Sequence, residues 1–204
     1  MEALLAKAIS GMEKGGFEVV RADTAQAAAE YLLAHIAPEQ TVGAGGSVSV
    51  QQTGVLPMLE AKGCTVHTHW RASGAEAEAI MRKARDANVY LCSVNAVSRD
   101  GELVMVDGRG NRLGAVCDGP EQVYFIVSEN KVVDGGLMAA MARVKRDAAP
   151  PNCRRLGLNT PCAHTGKCAG EECMDPSCRI TLVLDCVPRR RKMTVILVKE
   201  KLGY

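Results

Sequence analysis

The residues best suited to chemistry fall into three groups. The first is Gly43, Gly45, Gly46 and Ser47, a glycine-rich turn between a short strand at Thr41-Val42 and a helix start at Val48 to Thr53. The backbone N–H groups of such a turn converge on one spot, and the helix dipole favours negative charge there, so the turn can cradle a phosphate or carboxylate. Its spacing is neither a Walker A loop nor a Gly-x-Gly-x-x-Gly dinucleotide fingerprint, and a plain tight turn is the alternative. The second group is Asn95, Asp107, Asn111 and Arg112, placed with Ser98, Gly108 and Gly110 at or near the ends of two apolar runs. Asp107 and Arg112 are candidate general acid/base and charge-stabilising residues. Asn95 and Asn111 can orient a ligand, and Lys131 can add a second positive group. The competing possibility is a hairpin whose Asp-Gly turns need glycine only for its backbone freedom. The third group is Cys162, Cys168, Cys173 and Cys178, with five, four and four residues between successive thiols. Thiolates this dense suit zinc or an iron-sulfur cluster, but the spacing matches neither zinc knuckles nor a ferredoxin run. Free thiols packed in a loop are the alternative.

Elements that could position these groups alternate along the chain. Met1 to Lys14 carries Leu5, Ala8, Ile9 and Met12 on one helical face and stops at Gly15-Gly16. Phe17 to Val20 reads as a strand, and Thr24 can cap a helix over 25–36. Leu56 to Lys62 is helical with Pro57 in its first turn. Thr65 to Trp70 alternates as a strand and puts His67 and His69 on one face, where they suit a ligand rim better than a metal. Gly74 to Ala87 is a helix with Ala77, Ile80, Met81 and Ala84 inward. Val89 to Val97 and Leu103 to Val106, joined through Asp100-Gly101, read as two strands of one sheet, and Val123 to Val127 as a strand buried on both faces. Asp134 can cap a helix to Ala148, whose basic cluster Arg143, Lys145 and Arg146 suits its dipole. Ala149-Pro150-Pro151 then ends the pattern. A Cys-rich excursion over 149–180 follows, and Ile180 to Val187 and Met193 to Val198 read as a C-terminal hairpin with a basic tip at 188–192.

The expected fold is therefore a single α/β domain over 1–204, a layered sheet with helices on both faces. Lys and Arg number 25 against 23 Asp and Glu, a net charge of +2, and aromatic residues make up 3% of the chain. That balance gives no footprint for nucleic acid, and no apolar run reaches membrane-spanning length, so neither partner is expected. The N-terminus lacks the pattern of a signal peptide, which points to the cytoplasm. Nine cysteines, an odd count, favour metal or redox chemistry over a disulfide framework.

Several blocks occur in an order that carries a resemblance: Val-Gly-Ala-Gly-Gly-Ser (42–47), Asn-Ala-Val-Ser-Arg-Asp-Gly-Glu-Leu-Val (95–104) and Asp-Gly-Arg-Gly-Asn-Arg (107–112). Asn-Lys-Val-Val (130–133), Ala-Pro-Pro-Asn (149–152), Thr-Pro-Cys-Ala-His-Thr-Gly-Lys-Cys (160–168) and the ending Val-Ile-Leu-Val-Lys-Glu-Lys-Leu-Gly-Tyr (195–204) follow. Together they resemble the LUD domain family, which includes the lactate-utilisation protein C group. The resemblance implies a fold similar to glucosamine-phosphate deaminase, ribose-phosphate isomerase and CoA-transferases, with residues 43–47 where those relatives hold a phosphate or carboxylate. It implies a role in bacterial organic-acid utilisation beside iron-sulfur partner proteins, without defining a reaction. Thr181 follows Arg179-Ile180 where members often carry Cys, which displaces the last thiol. No counterpart of the CoA-transferase glutamate is evident. Two functions follow as expectations: binding of a small anionic ligand at the glycine-rich turn, or a non-catalytic accessory role through the Cys-rich segment.

Overall fold

A computed structural model describes all 204 residues. The chain opens with α1 (Glu2–Lys14), β1 (Glu18–Ala22), α2 (Ala25–His35) and β2 (Thr41–Ala44), then α3 (Val48–Gln52), α4 (Val55–Lys62), β3 (Thr65–Thr68) and α5 (Gly74–Arg85). Next come β4 (Val89–Cys92), β5 (Ala96–Val97), β6 (Leu103–Asp107), α6 (Asn111–Asp118), β7 (Gln122–Ser128) and α7 (Leu137–Arg143). The last elements are α8 (Ala149–Arg155), α9 (Pro161–Thr165), β8 (Ile180–Leu184) and β9 (Lys192–Val198).

Local signals account for the boundaries. Leu5, Ala8 and Met12 are the buried stripe of α1, and the turn at Gly15 closes it. Thr24 caps α2 by accepting the Ala27 N–H at 3.1 Å, and Gly63, at φ +105°, ends α4 in the left-handed conformation that glycine adopts without penalty. Six strands form one parallel sheet in the order β1-β9-β7-β4-β2-β3. Its central strands are apolar on both faces, as β7 shows with Val123 to Ser128 all buried. One face packs against α1 and α6 in a core containing Leu5, Met12, Val116 and Phe125. The other packs against α2 and α4 in a core containing Leu32, Leu59, Ile126 and Ile196.

Three expectations differ from this arrangement. The apolar run at 89–97 does not enter a single sheet. β4 belongs to the six-stranded sheet, whereas β5 pairs antiparallel with β6 in a second sheet of order β5-β6-β8. The chain changes sheets at Ser93-Val94-Asn95. β8 and β9 do not form a C-terminal hairpin either, since β8 pairs with β6 and β9 lies between β1 and β7. Finally, Asp134 caps nothing: α7 starts after Gly136, and Ala149-Pro150-Pro151 does not stop the helical path. A π-helical turn at Val144–Ala148 widens the helix before the prolines, which then occupy the first turn of α8, where the N–H groups they lack are not needed. This continuation carries Asn152, Cys153 and Arg155 over the carboxyl ends of the strands.

Candidate functional site

The carboxyl ends of the parallel strands open onto a cavity of about 590 Å³. Gly46, Ser47 and Ser49 follow β2, and His69 and Trp70 follow β3 in a short 3-10 turn. Ser93 and Asn95 follow β4, Lys131 follows β7, and Gly203 and Tyr204 come after β9. Asp107 ends β6, Asn111 and Arg112 start α6, and Asn152, Cys153 and Arg155 come from α8. Loops at the carboxyl edge of an open parallel sheet are where α/β proteins hold ligands, because strand ends from distant parts of the chain meet there.

Lys131 forms the floor. Its side chain is 3% exposed, and Nζ donates to Ser49 Oγ at 2.8 Å, Ser93 Oγ at 2.9 Å and the Val94 carbonyl at 3.2 Å. None of these acceptors is a carboxylate. Burial, helped by the nearby Arg143 and Arg112 guanidiniums and opposed by Cys92, lowers its pKa to about 7. Beside it, Arg112 and Asp107 form a buried ion pair. Arg112 Nε donates to Asp107 Oδ1 at 2.7 Å, Nη2 donates to the Val106 carbonyl at 2.7 Å, and Nη1 donates to the Ser93 carbonyl at 3.3 Å. Asp107 Oδ2 accepts the Arg112 N–H at 3.0 Å and the Leu113 N–H at 3.4 Å, which caps the first turn of α6. Both oxygens of Asp107 are therefore engaged in fixing Arg112 and the helix behind it. Asn95 accepts the Val106 N–H at 2.8 Å and lies 3.5 Å from Arg112 Nη2.

The glycine-rich turn divides. Gly46 and Ser47 line the cavity, with Ser47 Oγ accepting the Val50 N–H at 3.3 Å. Gly43 does not line it: a Cβ there would overlap the Ala84 carbonyl, so this glycine lets β2 and α5 pack closely. Gly45 makes room for its neighbours, since a Cβ would come within 2.5 Å of the Tyr90 hydroxyl and 2.6 Å of Arg112 Cγ. The expected ligand-binding set thus separates into cavity residues (Gly46, Ser47, Asn95, Asn111 and Lys131) and packing glycines (Gly43 and Gly45).

The four cysteines expected to act as metal ligands are less convergent. No three His, Cys, Asp or Glu side chains lie where they could hold one ion. Cys162 is buried in a small cluster with Cys153 and Ala163, Cys168 is exposed, Cys173 is half-buried, and Cys178 reaches the cavity wall. Burial raises the Cys178 pKa; Lys145 opposes it, and the neighbouring Cys162, Cys168 and Cys173 add to it.

Four residues of the site carry no motif. Ser49 and Ser93 hold the Lys131 amine but read as a helix residue and as one polar position in an apolar run. Arg155, over the Trp70 ring at 4.9 Å, reaches the cavity only because the helix passes its prolines. Arg143, expected only to suit the dipole near a helix end, is buried and donates to the main-chain oxygens of Tyr204 at 3.1 Å and Asn130 at 3.3 Å, and to Asn95 O at 2.5 Å. Asn95 at the end of an apolar run and the Asp-Gly-Arg-Gly-Asn stretch at 107–111 are the signal for this neighbourhood.

The fold defines a mixed α/β protein with a mostly parallel central sheet, helices on both faces and a cavity at its carboxyl edge. The chain belongs to the LUD domain family, whose model matches residues 5–198. A crystal structure of a DUF162 family protein from Deinococcus radiodurans is similar in fold, with 14% identity, 96% of each chain covered and a TM-score of 0.54. No curated protein matches the sequence. No helix is long and apolar enough to cross a membrane.

Proposed function

We propose that this LUD-domain protein binds a small phosphate- or carboxylate-bearing ligand at the carboxyl edge of its sheet, in the organic-acid utilisation, of lactate type, that the family resemblance implies. The observation that carries this is the charge of the cavity wall. Arg109, Arg112, Arg155 and, when protonated, Lys131 line it against one side-chain carboxylate, Asp107, which is paired with Arg112; Arg109 also stands 4.0 Å from Glu78 at the rim. A cavity wall with more cations than side-chain carboxylates concentrates anions. Ser47, Asn95 and Asn111 supply polar contacts around the anion, while Trp70, Met81 and Leu156 offer apolar wall for the rest of a ligand. Asp107 acts in this scheme as a positioning residue for Arg112.

Thermal unfolding against phosphorylated and carboxylate metabolites tests the proposal. A true ligand should stabilise the protein saturably, by about 3 kcal/mol at a hundredfold excess over Kd, and Arg112→Gln should weaken it about tenfold or more through loss of a charge-assisted contact. Absence of any saturable shift, or shifts equal in wild type and Arg112→Gln, would refute it.

A second reading places zinc or an iron-sulfur cluster, or the docking face for an iron-sulfur partner, in the Cys-rich segment. Its support is the spacing of Cys162, Cys168, Cys173 and Cys178, four thiols within 17 residues of sequence. As arranged, the donors do not form a set of three. Iron and zinc analysis of protein purified without oxygen decides it, with stoichiometric metal as the outcome in its favour.

A further inference from the structure

We propose that Lys131 is an amine nucleophile that forms an imine with the carbonyl carbon of the cavity's ligand, which is then a small aldehyde or ketone bearing a phosphate or carboxylate. This inference rests on the anion-binding proposal and adds a reaction at a named atom.

The placement of the amine is its first support. A lysine this deep usually neutralises a carboxylate, yet Nζ is held by two serine hydroxyls and a main-chain carbonyl. The charged groups facing it are the guanidiniums of Arg112 and Arg143, with the Cys92 thiol as the remaining titratable neighbour. That surrounding disfavours the ammonium and leaves a lone pair available near neutral pH, as imine-forming lysines require. The Val94 carbonyl and one hydroxyl can accept the two N–H bonds of the free amine, while the other hydroxyl donates to its lone pair and turns away when the carbonyl carbon takes that place.

The second support is the shape above the amine. Gly203 crosses the floor at φ +63°, and a Cβ there would overlap Ser49 Oγ and lie 3.3 Å from Nζ. A residue with no side chain is thus required beside the amine and its Ser49 partner. Arg112, fixed by Asp107, stands on the same wall and can hold the ligand's anionic group while its carbonyl meets Nζ.

The step balances without any co-reactant. The Nζ lone pair attacks the carbonyl carbon, and the carbonyl π electrons move to oxygen. One proton passes from nitrogen to that oxygen, with Ser49 or Ser93 within relay distance, giving a carbinolamine. The hydroxyl takes a proton from solvent and leaves as water as the nitrogen lone pair forms the carbon–nitrogen double bond, and the resulting iminium returns that proton to solvent from its N–H to give the imine. The sum is amine plus carbonyl giving imine plus water, with no change of oxidation state.

Two probes test this: pyridoxal 5′-phosphate, an aldehyde with a phosphate, and glyoxylate, an aldehyde with a carboxylate. Each is incubated with the full chain at pH 7, reduced with borohydride and mapped by peptide mass spectrometry. The expected result is a saturable adduct on Lys131 from at least one probe. Its free-amine fraction at this pH exceeds that of an ordinary lysine by about a thousandfold, so Lys131 should be labelled well before any exposed lysine. Arg112→Gln should cut this labelling about tenfold, and pyridoxine 5′-phosphate, which has the phosphate without the carbonyl, should protect Lys131. If pyridoxine 5′-phosphate binds by calorimetry and Lys131 stays unlabelled by both aldehydes, the imine proposal is overturned while anion binding stands. If no anion binds and no adduct forms, both fall. Circular dichroism of Arg112→Gln, which removes the partner of Asp107, separates a loss of labelling from a loss of fold.

Discussion

The floor of the cavity and the segment that covers it are built on opposite principles. Ser49, Ser93, Asn95, Asp107, Arg112 and Lys131 stand at strand ends or in the turns and helix starts that follow them, and hydrogen bonds to backbone or to one another fix them from several directions. Residues 149–180 form two short helices, a 3-10 turn and connecting loops, with polar contacts that are mostly local, such as His164 to Asn159 at 2.9 Å and Thr165 to the Pro161 carbonyl at 2.9 Å. A site anchored to a parallel sheet is preorganised, whereas a covering segment of this kind can vary in detail without disturbing the fold. The most conspicuous cluster in the sequence, the five cysteines between 153 and 178, lies in the cover, and the residues with the most constrained environments lie in the floor.

The sharpest way to break this contrast is to remove a floor anchor. Asp107→Ala would leave the Arg112 guanidinium buried without its counter-charge and α6 without its cap. Breaking a buried ion pair from one side costs about 3–5 kcal/mol, and the expected outcome is a loss of that order in urea unfolding. A loss under about 1 kcal/mol, the range of a surface pair, would show that Asp107 does not hold the floor and would restore it as a candidate acid or base.

Lys131 offers a test of the floor by pH. Below about pH 7 both folded and unfolded chains carry the protonated amine, and the folded state bears the cost of burying it. Between about 7 and the ordinary lysine value the folded protein has released the proton while the unfolded chain still binds it. The unfolded state then holds more protons, so stability rises with pH. Unfolding free energies of wild type and Lys131→Met, compared at each pH, cancel the titration of groups they share. The difference should move in favour of wild type by about 2 kcal/mol between pH 7 and 9, since a proton bound by the unfolded chain alone contributes about 1.4 kcal/mol for each step of one in pH. A difference that stays flat over that range would mean an ordinary ammonium at this position.

The contrast also explains what the sequence makes legible. The buried strand at 122–128, the Thr24 cap and the stripe of α1 follow from local composition, because each needs only its own residues to be recognised. The change of sheets at Ser93-Asn95 is illegible for the opposite reason. Val89 to Val97 is apolar through both sheets, and partners far along the chain, at 42–44 and 103–104, decide where each part pairs. The passage of the helix through Pro150-Pro151 depends on a π-helical turn that no residue type announces. Asn95, Asp107, Arg112 and Lys131 are visible as polar residues at strand ends, but their grouping requires the fold. Ser49, Ser93 and Arg143 have only their neighbours to recommend them.

The smallest expected effects lie in the cover, and they separate its two interpretations. Cys162 packs against Cys153 and Ala163 in a buried cluster, whereas Cys168 is exposed. Packing alone therefore predicts unequal outcomes. Cys162→Ser keeps a polar partner in Thr160, 3.4 Å from Sγ, but gives up buried contact with Cys153 and Ala163 and should cost about 1–2 kcal/mol, while Cys168→Ser should stay within about 0.5 kcal/mol, as exposed substitutions do. A shared metal predicts equal outcomes, because the loss of either ligand would release the ion and the folding energy tied to it. Equal destabilisation of the two variants, accompanied by loss of bound zinc or iron from both, would make the cover a metal-clamped element as constrained as the floor. Unequal effects with unchanged metal content would leave the cysteines as packing thiols and the chemistry with Lys131.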